Sequence, residues 1–341
     1  MLCEPLKSLL SGSRWLYLVL SFFIASQLHG QTLPNNADDL YELINVEGNL
    51  YLAGVRGPGG HTTAVLITPE GVIMGDPIRA DFAQWLKTQL ADRFDAEVKY
   101  VIYSHHHPDH ASGGAVFADT ASFVGHQEMD MTKMPSNFAA LDINNNGLIE
   151  LEETTIRARR DFIVMDVDNS GALTVDEVNA SVQAPTINYT TSIVLHLGGY
   201  SVQAHHMPSA HSDDMSVILF PDYDTLFAVD FLQIRRFPGG FSGFLAGYPV
   251  DDYGAAIDAA VNLDFNRVIQ GHGNAIGTKQ DAQDFKTMLF ATATQVKEAI
   301  SAGKTLEETV DTVTLPQYKD WSLYETRRAA LVENMYESQK P

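Results

Sequence analysis

Apolar and polar positions alternate along most of the chain beyond residue 40, and the places where the alternation stops mark out its elements. Leu40–Val55 reads as a two-strand hairpin around Glu47-Gly48-Asn49, closed by a break at Arg56-Gly57-Pro58-Gly59-Gly60. Thr63–Thr68 and Gly71–Met74 are two further strands, parted by Pro69-Glu70. From Arg79 to Phe94 the period changes: Phe82, Trp85, Leu86 and Leu90 recur at helical spacing, which predicts a helix packed on the sheet. The strand Val98–Ser104 then runs straight into His105-His106-His107-Pro108-Asp109-His110, a cluster that must be solvated or bound at a strand end. Ala111–Phe117 predicts a short helix and Ser122–Gly125 another strand.

After residue 182 the alternation resumes. Thr191–Leu197 and Tyr200–His205 are strands around Gly198-Gly199, and Met207–Asp214 is a polar loop carrying His211. Ser216–Phe220 and Thr225–Val229 are strands, the second ending in Asp230. Arg235–Tyr248, rich in glycine and aromatics, has no period and reads as a loop at a site mouth, with Phe237, Phe241, Phe244 and Tyr248 as a candidate apolar wall for substrate. Asp251–Val261 is helical, and Arg267–Gln270 is a short strand ending in Gly271-His272-Gly273. Helices at Lys279–Ala302, Thr305–Val313 and Leu323–Gln339 close the chain. Strands flanked by helices make this an α/β chain.

Residues 135–182 follow a different pattern. Two twelve-residue segments, Asp142–Glu153 and Asp166–Glu177, place oxygen side chains at positions 1, 3, 5 and 9, glycine at 6 and glutamate at 12. Both match the calcium loop of an EF-hand. The first loop offers Asp142, Asn144, Asn146, the Leu148 carbonyl, Glu150 and Glu153. The second offers Asp166, Asp168, Ser170, the Ala172 carbonyl, Thr174 and Glu177. Ile149 and Leu173, both at position 8, are expected to pair in a short β-bridge. One helix, Thr154–Met165, has to serve as exit of the first hand and entry of the second. With three acidic ligands each, the two loops predict two Ca2+ ions held with weak to moderate affinity, suited to calcium outside the cytoplasm.

Composition narrows the function. The 341 residues are 45% hydrophobic, enough for a large core, and the formal charge of −21 excludes a nucleic-acid partner, which requires a basic face. Lys7 and Arg14 precede an apolar run from Trp15 to Leu28 that is shorter than the ~20 residues of a membrane span. Residues 1–30 therefore read as a signal peptide, and the mature protein as periplasmic or secreted with no membrane span. The one cysteine, Cys3, leaves with that signal, so thiolate ligands and disulfides are excluded. The segments expected are 31–134, the insert 135–182, and 183–341.

Seven metal-ligating groups then fall at C-terminal strand ends: His105, His107, Asp109 and His110 after one strand, His211, Asp230 and His272 after three others. In sheets flanked by helices that edge is where ligands gather. Imidazoles and carboxylates without cysteine fit zinc best and admit iron or manganese. His61, His126, His196, His205 and His206 carry no such placement and read as ordinary core or surface residues.

The set resembles the metallo-β-lactamase-fold hydrolases, whose signature is His-x-His-x-Asp-His followed in order by a distant histidine, an aspartate and a final histidine. Asp76, after Val-Ile-Met-Gly, matches the early aspartate that orients the metal loops in that family. The resemblance covers roughly Leu40–Asp130 and Pro185–Gly273. It implies a four-layer αββα sandwich, here with the EF-hand pair inserted. It also implies one Zn2+ on His105, His107 and His211, a second on Asp109, His110 and His272, and Asp230 bridging them, with His106 a bystander. Two cations sharing a water lower its pKa, and the resulting hydroxide attacks an ester, lactone, thioester or amide carbonyl of a small-molecule substrate, with Asp109 as the catalytic proton carrier. True β-lactamases of this fold commonly carry cysteine or serine where Asp230 stands, which leaves that activity as an alternative. A second alternative is a docking protein that meets a protein partner through its calcium loops.

Overall fold

The structure, a computed structural model, describes residues 37–57, 60–154, 162–163, 165–239, 245, 247–273 and 276–340. The expected signal peptide, residues 1–30, lies outside the described residues. In chain order the first half supplies β1 (Tyr41–Glu47), β2 (Leu50–Val55), β3 (Thr62–Thr68), β4 (Gly71–Met74), β5 (Val98–Ile102), β6 (Ser122–His126), β7 (Ile149–Glu150), β8 (Ala172–Leu173) and β9 (Ile187–Tyr189). The second supplies β10 (Ser192–Leu197), β11 (Tyr200–His206), β12 (Ser216–Phe220), β13 (Thr225–Ala228), β14 (Arg267–Gln270) and β15 (Ile276–Thr278).

These strands form a seven-stranded sheet, β1-β2-β3-β4-β5-β6-β9, and a six-stranded sheet, β10 to β15 in sequence order. Antiparallel hairpins begin each sheet. Parallel pairing begins where a helix intervenes, between β4 and β5 and between β13 and β14, because a parallel neighbour requires a crossover. Those crossovers are the helices Ala80–Phe94 and Val250–Val261.

The two sheets stack through Leu52, Leu66, Ile73, Ile102 and Val124 on one side and Val202, Ile218, Phe220, Phe227 and Ile269 on the other. Outside the first sheet, Phe82, Trp85, Leu86 and Leu90 of the helix Ala80–Phe94 cover Val65, Val72, Met74 and Val101. Outside the second, Ile257, Phe285, Leu289 and Val332 from three helices cover Val217, Leu219, Leu226 and Val268. The order is helix, sheet, sheet, helix. It explains why β4 and β12 read as unbroken apolar runs: both faces of each are buried.

The insert has a small core of its own, made of Phe138, Leu141, Ile149, Phe162, Leu173 and Val178. Its two loops pair through β7 and β8, with Ile149 opposite Leu173 as expected. The helix expected at Thr154–Met165 falls mostly on 155–161 and 164, outside the described residues.

Several expectations need correction. The strand into the histidine cluster ends at Ile102, and the next helix is Pro108–Ala111, which carries Asp109 and His110, followed by a 3-10 turn at Gly114–Phe117. Proline at the first helical position starts that turn before the apolar pattern signals it. The strands β9 and β15, three residues each, are too short to show a period. Phe237 does not line a substrate wall: it is fully buried against Trp321 and Tyr324. Phe241 and Phe244 lie outside the described residues, and Tyr248 donates its hydroxyl to Asp213. No helix among the described residues is long and apolar enough to cross a membrane.

The stacking of the sheets is what holds the strand ends in register. Phe227, fully buried between them, is expected to cost about 3–5 kcal/mol on substitution Phe227→Ala, read as a lowered urea midpoint; a change below about 1 kcal/mol would mean that this layer is not the main core.

Candidate metal centre

One buried carboxylate sets the floor of the site. Asp76, at the end of β4, is fully buried and accepts hydrogen bonds from the Ser104 backbone N–H and hydroxyl, both at 2.7 Å. Its Oδ2 lies 3.5 Å from His110 Nδ1, and Ser104 Oγ lies 2.8 Å from His105 Nδ1. The His105 ring is thus engaged at Nδ1 and the His110 ring has its Nδ1 toward Asp76, so that each Nε2 is turned the other way. His107 Nε2 lies 2.9 Å from Ser136 Oγ, which leaves its Nδ1 for the site. His211 and Asp230 both sit on left-handed backbone, with φ of 53° and 59°. Such a conformation is costly outside glycine and persists where neighbours enforce it.

The groups converge in two clusters, each with its ligand atoms within 4.8 Å of one another: His105, His107, His211 and Asp230 in one, His61, Asp109, His110 and His272 in the other. In the first, His211 Nε2 is 3.1 Å from His107 Nδ1 and 3.4 Å from Asp230 Oδ2, which lies 3.8 Å from His105 Nε2. In the second, His110 Nε2 is 3.3 Å from His272 Nε2 and 3.7 Å from Asp109 Oδ2. Asp230 faces both: its Oδ1 is 2.7 Å from His272 Nε2 and its Oδ2 is 3.3 Å from His110 Nε2. Donors of a tetrahedral ion at about 2.0–2.1 Å stand about 3.4 Å apart, close to these separations.

The electrostatics of the first cluster favour a bound cation, whereas at His110 in the second burial is outweighed by Asp230 and Asp109, which hold the ring well above the usual histidine range. Burial, then the neighbouring histidines, push His105 and His107 well below the usual histidine range, so both rings are neutral, the state that binds a metal. Burial would raise Asp230, but His272 and His110 outweigh it and hold the carboxyl well below its usual range. Asp109, with a side chain 42% exposed, is only partly desolvated, and His110 and His61 outweigh that and hold its carboxyl well below the usual range. His105 Nε2, facing the first cluster, is buried without a hydrogen-bond partner among the described residues. Lone pairs aimed at one another around a buried orphan nitrogen suit a divalent cation better than a hydrogen-bond network.

All seven groups expected from the sequence come together, and one was missed. His61 reads as an ordinary residue because it follows a glycine break at no fixed spacing from the motif; only its bridge to His272 across the chain brings it in. His106 turns away from both clusters, its Nε2 2.9 Å from Asn179 Oδ1 in the insert. His126 and His206 stack on each other, His205 lies beside Gln203 and His196 is exposed; none of the four enters either cluster.

The residues expected to bind calcium are arranged less evenly. Asp166, Asp168 and Glu177 bring their carboxylates within 4.8 Å of one another. The carboxylates of Asp142, Glu150 and Glu153 form no such group among the described residues; Glu153 instead accepts the backbone N–H groups of Ile143, Asn144 and Glu150. In both loops the first aspartate caps the turn: Asp142 accepts from Asn146 and Gly147, and Asp166 from Ser170 and Gly171. The position-6 glycines have φ of 82° and 83°, a turn other residues resist. Asn144, Asn146 and Thr174 bond within the loops to Glu150 and Glu177, and Ser170 to the Ala172 carbonyl, while Leu148 donates its N–H to Asn146.

Beside the metal centre, Asp214 is buried with one oxygen accepting from Ser212 and the other unpartnered among the described residues. Burial pushes its pKa up to about 6, above the ~3.9 of an unfolded aspartate. A raised acid stabilises the fold fully below pH ~4 and loses that contribution as pH rises through about 6. Asp214→Asn is therefore expected to gain on the chelated parent protein between pH 4 and 7, by up to about 3 kcal/mol in urea titrations. A difference independent of pH would refute this account.

The family profile of the metallo-beta-lactamase superfamily matches residues 57–272. Among solved structures, the chain is similar to a metallo-beta-lactamase from Pontibacter korlensis at 15% identity and a TM-score of 0.51, covering 72% of this chain and 97% of that one. It is also similar to the stereoselective inverting sec-alkylsulfatase Pisa1 from Pseudomonas sp., at 16% identity and a TM-score of 0.60, over 87% of this chain and 50% of that one. A double mutant of the sec-alkyl sulfatase PisA1 gives 15% identity and a TM-score of 0.61, over 88% and 50%. The chain thus spans about half the length of the alkylsulfatase chains. At such identities the likeness is one of fold. No curated protein matches the chain. With the family profile matched over more than half of the chain and the His/Asp clusters assembled from loops of both sheets, the chain belongs to the metallo-beta-lactamase superfamily and is a metal-dependent hydrolase.

Proposed function

We propose that this protein is an exported hydrolase working with two zinc ions, one held by His105, His107 and His211, the other by Asp109, His110 and His272, with Asp230 between them. One observation carries the reading: the Asp230 carboxylate faces both clusters at once, Oδ1 toward His272 and Oδ2 toward His110, His211 and His105. Two cations held there would supply Lewis-acid polarisation and lower the pKa of a water toward neutrality. The chain's own residues do the rest. Asp76 and Ser104 fix the orientation of the His105 and His110 rings. Asp109, whose side chain is 42% exposed, would orient the nucleophile by accepting its hydrogen bond and relay its proton toward the leaving group. The substrate class is an ester, lactone, thioester or amide of a small molecule.

Export is supported by Lys7 and Arg14 ahead of the apolar run Trp15–Leu28. Calcium in the insert is supported by the grouping of Asp166, Asp168 and Glu177, and by Glu177 Oε1, a buried oxygen without a hydrogen-bond partner among the described residues. We read the calcium as structural. The docking alternative has an observation of its own: Ile143 and Val167, second in each loop, are 74% and 73% exposed.

The fully loaded enzyme is expected to contain two transition-metal equivalents and to hydrolyse at least one member of a panel of β-lactam, acyl lactone, glutathione thioester, phosphate ester and sulfate ester. Asp109→Ala should lower kcat by about 10²–10⁴-fold; a single equivalent in the parent protein, or unchanged turnover in the variant, would sink the dinuclear reading.

Calcium is expected to raise the melting temperature, by the equivalent of about 2.7 kcal/mol at a hundred times Kd, and Glu177→Gln to weaken the response. A melting temperature indifferent to a calcium-selective chelator excludes the structural role. Calcium-dependent capture of a partner, without that shift, points to docking.

A further inference from the structure

We infer that His61 is a fourth protein ligand of the second cation, beside Asp109, His110 and His272; this deepens the dinuclear reading and rests on it. The backbone places the residue. His61 forms an isolated antiparallel bridge with His272. Around it, Thr62 N–H donates to the Gly271 carbonyl at 2.9 Å, Gly273 N–H to the Gly60 carbonyl at 2.7 Å, and Val55 N–H to the His61 carbonyl at 2.8 Å. The start of β3 is thereby tied to the loop after β14, and the Cα of His61 is fixed beside that of an expected ligand without any help from its side chain.

The ring then turns inward. Its centroid is 4.5 Å from that of His272 and 5.3 Å from that of His110, and its Nε2 is 3.1 Å from Asp109 Oδ2. That same Oδ2 lies 3.7 Å from His110 Nε2. A hydrogen bond to Asp109 alone would ask only that His61 face the carboxylate. Here the ligand atoms of all four residues lie within 4.8 Å of one another, the limit that also encloses His105, His107, His211 and Asp230. Each cluster contains three imidazoles and one carboxylate. With Asp230 also facing His110 and His272, the second cluster offers five protein donors against four for the first. The more protein donors surround a cation, the closer its site comes to the closed shell of structural zinc, while an open position is the mark of a site that exchanges ligands.

The chemistry predicts tighter retention at the second site and a specific loss on removing His61. Metal-free parent protein, His61→Ala and His61→Gln would be titrated with Co2+ and followed by metal analysis and visible absorption. The parent is expected to take up two equivalents. His61→Ala should bind one of them about 10–100-fold more weakly, with a changed cobalt spectrum for that equivalent. His61→Gln, which keeps a donor toward Asp109 but has no imidazole, should not recover it. Because the backbone bridge does not involve the ring, the metal-free variants are expected to melt with the parent.

X-ray absorption on the zinc-loaded parent supplies a readout that needs no variant. Six imidazoles (His61, His105, His107, His110, His211 and His272) shared by two metals average to three per zinc; five would average to two and a half and overturn the inference. Unchanged affinity and spectrum in His61→Ala, or full recovery in His61→Gln, would also overturn it while leaving two-metal binding intact. Uptake of a single equivalent by the parent would remove the dinuclear reading and this inference together.

Discussion

The architecture depends on one shared carboxylate. Asp230 sits just after β13 with φ of 59°, its Oδ1 facing His272 and its Oδ2 lying between His110 of one cluster and His211 of the other. A left-handed aspartate costs on the order of 1–3 kcal/mol of local strain. It is sustained because the backbone around it is over-determined: Phe231 N–H donates to the Val229 carbonyl at 2.6 Å and Gln233 Nε2 to the Asp230 carbonyl at 3.2 Å. Phe231 and Leu232 are buried in the core beneath the helices. Only a stiff, fully packed second sheet can present that carboxylate midway between groups carried by the first.

The insert is joined to this centre and not merely appended beside it. His107 Nε2 lies 2.9 Å from Ser136 Oγ at the insert's entry, and His106 Nε2 lies 2.9 Å from Asn179 Oδ1 at its exit. Asn179 in turn donates to the carbonyls of Met131 and Lys133. Both ends of the insert are therefore tied to the loop that carries the metal-facing histidines. A partner that orients a ligating ring governs how well that ring binds, so the order of the insert and the pose of His107 are linked through a single hydroxyl.

Much of this was legible in the chain. The apolar runs of β3, β4, β12 and β13 and the helical period of Phe82, Trp85, Leu86 and Leu90 place both sheets and one cover. The strand-end position of His105 to His110, His211, Asp230 and His272 follows from where β5, β11, β13 and β14 stop. His61 was not legible, because its membership arises from pairing with a residue more than two hundred positions away, and local sequence has no signature for a bridge. Phe237 misled for a related reason: an aromatic in a glycine-rich loop looks free until Trp321 and Tyr324 from the C-terminal region close over it. The left-handed backbone of His211 and Asp230 was equally hidden, since neither is a residue type that advertises a turn so strongly as glycine.

Charge acts on two scales here. The formal charge of −21 gives a long-range field that draws cations and slows anions at low salt, but at physiological ionic strength that field is screened beyond about 8 Å. Within that distance of the clusters, local groups decide. Six imidazoles surround Asp109 and Asp230, with Asp76 directly below. Were two divalent ions bound as proposed, these three carboxylates would offset at most three of their four positive charges. The centre would then be locally positive inside an acidic protein, and the same site that gathers cations from solution would present a positive surface to an oxygen bearing developing negative charge. The acidic exterior and the electrophilic interior do not conflict, because screening separates them.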